Sequence, residues 1–175
     1  MKALTLWPEW AWAVRRLGKD VENRTWRPPS SVVEGTRIAI HAGATFGGGQ
    51  LKGKFSVERV FDPVAQMARR AGWRVGYDVA SNMIKAYSVE APVVIQDRML
   101  AIDQGYVVAV AEFDSLLVPG VDDPREWPWW VPEQFGWRLR NIRPLTNGVM
   151  CRGRQRLWRL PQDVRDAVVT RLGGA

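Results

Sequence analysis

Lys19, Glu22, Arg24 and Trp26 stand within the eight residues KDVENRTW, a cation, a carboxylate, a second cation and an indole in close succession. In an extended segment Glu22, Arg24 and Trp26 share a face, so an acceptor, a bidentate donor and a stacking plate converge. That trio suits a nucleobase, with polar groups on its edge and the indole on its flat surface. The same residues suit an internal ion pair, Glu22 with Lys19 or Arg24, that ties a helix to a sheet. Lys19 and Glu22 are also the candidate catalytic pair, moving a proton to or from a water if burial brings both toward neutrality.

Other candidates are scattered. His41 is the only histidine, which excludes paired imidazoles and a histidine-built metal site. A place at the lip of a cleft suits it best, and neither a metal nor a cofactor is expected. No serine lies in a G-x-S-x-G context. Gly48 to Lys54 resembles a phosphate-binding loop but has Phe55 where a hydroxyl must hold magnesium, so Lys54 is expected on a basic loop that closes over a phosphate.

Ten tryptophans cannot all be recognition plates. Trp7 or Trp10, Trp26 and Trp137 are the cleft candidates, and Trp158 is expected in the core. Trp129 and Trp130 are expected as a lid or exposed patch, the possible anchor of a protein-interaction module. Arg138 and Arg140 alternate with Trp137, Leu139 and Asn141, which predicts two guanidiniums along a phosphate backbone and Asn141 turned inward to a base edge.

Charge points the same way. Residues 125–175 hold ten arginines and no lysine against four acids, which is six of the chain's net seven positive charges. Planar guanidinium pairs well with phosphate and stacks on rings, so the arginine-rich surface of residues 138–159 predicts a nucleic-acid partner. A solvated arginine face is the plain alternative. A lone cysteine, no signal-peptide layout and no apolar run long enough to span a bilayer predict a soluble, cytoplasmic protein without membrane association.

The elements that must position these residues follow from pattern. Strands are expected at Lys2 to Leu6, Gly35 to Ala42, Tyr106 to Phe113, Trp137 to Arg143 and Gly153 to Leu160. Helices are expected at Pro8 to Leu17 before Gly18, from Asp62-Pro63 to Gly72, and at Pro161 to Leu172. Residues 119–132 predict a long loop, and residues 73–105, which lack a clear period, short irregular elements. The whole predicts an α+β fold, one domain over residues 1–175, built on a small, mostly antiparallel β-barrel with flanking helices.

Lys19-x-x-Glu22-x-Arg24, preceded by Leu4-x-Leu6-Trp7-Pro8-x-Trp10-Ala11 and followed by Trp26 and a strand ending Ile40-His41-Ala42, resembles the signature region of ASCH domains, written G-x-K-x-x-E-x-R. Here Leu17 stands at the glycine position and Gly18 beside the lysine. The resemblance covers residues 4–42 best and residues 43–105, read as an insertion, least. It implies a PUA-like barrel whose cleft presents the lysine, glutamate and arginine to a nucleotide: RNA, single-stranded or base-flipped DNA, or a modified nucleoside. Some superfamily members are amidohydrolases or proposed nucleases, which implies a hydrolase as the alternative. In the amidohydrolases a threonine nucleophile falls where this chain has Glu22.

Overall fold

The computed structural model describes residues 1–47, 57–78, 80–91, 93–98 and 103–173. Lys52 and Lys54, with the whole glycine-rich Gly48 to Lys54 segment, lie outside them.

Nine strands and three helices run in the order β1 (Lys2–Leu6), α1 (Pro8–Leu17), β2 (Val21–Arg24), β3 (Arg37–Ala42), α2 (Val57–Arg70), β4 (Trp73–Asp78), β5 (Met83–Ser88), β6 (Val94–Arg98), β7 (Tyr106–Leu117), β8 (Phe135–Met150), β9 (Leu157–Arg159) and α3 (Gln162–Gly173) among the described residues. Six strands form one sheet in the order β2-β8-β7-β3-β1-β9. Every pair in it is antiparallel except β1 with β3. The α+β class expected from sequence holds. The barrel is a curled half-barrel, with β2 and β9 as its free edges. Three register shifts between β7 and β8 supply the curl, because each bulge adds local twist.

Alternation divides the sheet's two faces. Leu4, Ile38, Ile40, Val108 and Ala111 pack on the side of α1, while Ala3, Ala39, Val107 and Val110 pack on the side of α3. A third cluster joins α1 to α2 and to the inner face of an antiparallel β4-β5-β6 meander. The irregular elements expected for residues 73–105 are therefore replaced by a regular three-stranded sheet. Its half-buried strands alternate, as in the β4 pattern of Trp73, Val75 and Tyr77 inward, and lean on α2 for their core.

Other boundaries move for identifiable reasons. Helix α2 already includes Val57, and Pro63 lies inside it. The buried stripe Val60, Phe61, Val64, Met67 and Ala68 starts before the proline, and burying it outweighs one missing backbone bond. Strand β8 extends to Met150, and β9 keeps only Leu157–Arg159. Gly153 to Arg156, expected as strand, is loop, with Arg156 at φ +59°. No helix among the described residues is long and apolar enough to cross a membrane.

Candidate functional site

A cleft of about 930 Å³ opens where the parallel strands β1 and β3 end together, beside β2. This size suits a nucleotide-scale ligand. Its wall brings together Trp7, Trp10, Lys19, Glu22, Arg24, Trp26 and His41, seven of the residues singled out from sequence.

Helix α1 begins at Pro8, pre-set for a first helical turn, and Gly18 stops it in the left-handed conformation at φ +67°. That turn sends Lys19 back beneath the helix, where its side chain is almost wholly buried. Its Nζ donates to the Val21 carbonyl at 2.5 Å and to Glu22 Oε2 at 2.7 Å, and lies 5.6 Å from the centre of the Trp10 ring. The other oxygen of Glu22, Oε1, pairs with Arg24 Nη2 at 3.1 Å, as period-2 alternation along β2 predicts. The same Nη2 donates to the Thr5 carbonyl at 2.8 Å, which fastens β2 to β1. Asn23, on the opposite side of β2, is locked to Trp129 O and Val131 N.

The ion pairs expected of Glu22 are thus both formed, in the wall of the cleft itself. Both oxygens of Glu22 are held by cations, and the cations keep donors unspent: the third N–H of Lys19 and the Arg24 Nε–H, which has no partner. Trp7 caps α1 with 56% of its surface exposed, and Trp26, half-buried, stands edge-on to Trp137 at 4.8 Å.

His41 is buried, and its Nε2 lies 3.0 Å from the Cys151 carbonyl. A carbonyl only accepts, so Nε2 carries the hydrogen. Burial holds the imidazole pKa below its ordinary value, which keeps the ring neutral. Glu9, in the first turn of α1, is equally buried. One of its oxygens accepts from Gly47 N at 2.9 Å and the other has no partner. Burial raises its pKa to about 7.

Four expectations need correction. Trp137 is fully buried and packs in the core behind Trp26, donating to the Trp26 carbonyl, so it is a support for the cleft and does not line it. Arg138 lies over the Trp127 ring at 3.9 Å and pairs with Asp114, while Arg140 pairs with Glu34 and Asp114. Acids from β7 and the turn before β3 thus occupy the guanidiniums expected on phosphate. Asn141 adopts φ +48°, which breaks alternation and turns its amide outward to Glu112. Trp129 and Trp130 are buried against α1 and α2 and form neither lid nor patch. Trp158 is buried, as expected of a core tryptophan.

Sequence reading held Arg152, Arg154 and Arg156 only within the broad arginine-rich surface of residues 138–159 and did not single them out, yet they line the cleft from the loop before β9. The missed signal was the R-G-R-Q-R spacing, whose glycine interrupts a strand pattern.

No protein-family model matches the chain, and no curated protein matches it. Among solved structures it is similar to the ASCH protein of Zymomonas mobilis, with 13% identity, 97% of this chain and 93% of that chain covered, and a TM-score of 0.45. A single-substitution mutant of that protein matches at 14% identity over 97% of this chain and 96% of the other, with a TM-score of 0.46. A second mutant gives 12% identity, coverage of 97% and 94%, and a TM-score of 0.44.

Proposed function

We propose that the chain is a nucleic-acid-binding module whose cleft takes one unstacked nucleobase, free as a nucleoside or carried on RNA or single-stranded DNA. One arrangement carries this: the Lys19, Glu22 and Arg24 triad in the same wall as the indoles of Trp7, Trp10 and Trp26. Unspent N–H donors suit the carbonyl and ring-nitrogen edge of a base, and the indoles supply stacking surface. Residues 1–175 act as one domain, in which the insertion around residues 43–105 contributes Met67 to the cleft.

Proton transfer fits this wall less well. A general base needs a lone pair facing the water it activates, and both Glu22 oxygens face cations.

Tryptophan fluorescence with nucleosides and short oligonucleotides at low salt, followed by chromatography of the recovered ligands, tests the proposal. Saturable quenching is expected, weakened about tenfold or more in Trp7→Ala, which removes an exposed plate at no cost to the core. Absence of quenching by every nucleoside and oligonucleotide would overturn it. Recovery of a cleaved or deacylated ligand, lost in Glu22→Gln, would replace it by a hydrolase.

A further inference from the structure

Arg152, Arg154 and Arg156 alternate along the loop between β8 and β9, all three exposed and all at the cleft. None of their guanidiniums has an ion-pair or hydrogen-bond partner among the described residues, and only the Arg152 carbonyl is engaged, accepting from Cys151 Sγ. Arg138 and Arg140 provide the contrast, since acids from neighbouring strands already neutralise them. Lys19 and Arg24 add two more cations to the cleft, and Glu22 is the one carboxylate among the described residues that line it. Such a wall is complementary to an anion, and guanidiniums in series match the oxygens of phosphate bidentately.

The loop is built, not loose. Cys151 N donates to the Gly105 carbonyl at 2.9 Å, and the Cys151 carbonyl is gripped by His41. A Cβ on Gly153 would stand 2.4 Å from His41 Cε1 and 2.8 Å from Nδ1, so only glycine lets the backbone lie on the imidazole. Arg156 is held in the left-handed region, a conformation unfavourable to a non-glycine residue that persists only where its surroundings impose it.

We infer, resting on the nucleobase reading of the cleft, that the Arg152 to Arg156 loop is its phosphate subsite, so that the preferred ligand is a phosphorylated nucleotide and not a bare nucleoside. His41 and Gly153 are positioning residues of that subsite: their mutual contact sets where the guanidiniums stand.

The test compares a nucleoside, its 5′- and 3′-monophosphates and a four-nucleotide single strand on the full chain, at several salt concentrations. Wild type is expected to bind a phosphorylated ligand about tenfold or more tightly than the nucleoside, as charge-assisted hydrogen bonds allow. A gain confined to the monophosphates assigns a free nucleotide, and a gain that grows on the strand assigns nucleic acid. The triple variant Arg152→Ala, Arg154→Ala, Arg156→Ala should lose this gain, and its salt slope should fall by about 0.7 to 1 for each phosphate contact removed. Gly153→Ala should show the same loss while keeping nucleoside affinity, a split that general misfolding would not produce. Nucleoside binding with no phosphate gain in wild type, or a gain undiminished in the triple variant, overturns the subsite alone. Failure of the nucleoside and of every phosphorylated ligand to bind overturns the nucleobase reading itself.

Discussion

Two carboxylates, Glu9 in the first turn of α1 and Glu22 on β2, are buried to nearly equal extent, with 1% and 7% of their surface exposed, and they meet opposite electrostatic surroundings. Glu22 has a cation on each oxygen. Glu9 has one backbone N–H on one oxygen and nothing on the other, so desolvation dominates and its pKa rises to about 7. Burial alone therefore does not decide what a buried acid does. The partner decides, because a carboxylate removed from water keeps its charge only where protein cations or donors replace the lost solvation.

Removing the Glu22 carboxylate has the largest expected consequence. Glu22→Ala strands Lys19 as a buried charge whose one remaining hydrogen-bond partner among the described residues is the Val21 carbonyl, and a cost of about 4 kcal/mol is expected in denaturant unfolding. A loss under about 1 kcal/mol would show that water already satisfies Lys19 and would erase the contrast with Glu9.

The pH dependence of Glu9 comes next. Its folded pKa, about 7, lies above the ordinary 4.5, so the folded state holds the proton more tightly than the unfolded one. Stability from this group is complete below pH 4.5 and is lost as pH rises through about 7. The full swing is about 3 kcal/mol. Glu9→Gln should flatten that part of the profile, measured as unfolding free energy between pH 4.5 and 8.5 against wild type. His41 acts in the other direction, since its lowered pKa costs stability as pH falls, but it is common to both proteins and cancels in the difference.

Gly47→Ala should have the smallest effect and the most specific. A Cβ there would fall 2.1 Å from the Trp7 ring and 2.5 Å from Glu9 Oε1, so the Gly47 N–H is drawn away from the carboxylate. That hydrogen bond lowers the Glu9 pKa, and without it the titration should move above 7 with a stability cost of about 1 kcal/mol. Carbon-13 titration of the Glu9 carboxyl reads the shift directly. An unmoved midpoint would mean that Gly47 plays no part in setting it.

The legible parts of the fold were those governed by local rules. Pro8 and Gly18 bound α1 because one fixes φ and the other tolerates the left-handed turn. Strand β2 put Glu22 and Arg24 on one face because alternation is a property of extended backbone itself. The meander stayed illegible because β4 to β6 are half-buried only through contact with α2, and their weak alternation reads as loop without it.

What the sequence determined by itself about this protein is the Lys19, Glu22, Arg24 constellation, the helix that delivers it and the excess of arginine near the C-terminus. All are set within a few residues of chain or by composition. Which arginines are free was decided only by tertiary structure. Asp114 lies 24 residues before Arg138 and Glu34 stands 106 residues before Arg140, yet strand pairing brings both within reach of a guanidinium. Arg152, Arg154 and Arg156 meet no such acid among the described residues, because the His41 imidazole and the absent side chain of Gly153 hold their loop at the cleft. A charge's partner is a matter of distance in space, and distance in space is what folding alone creates.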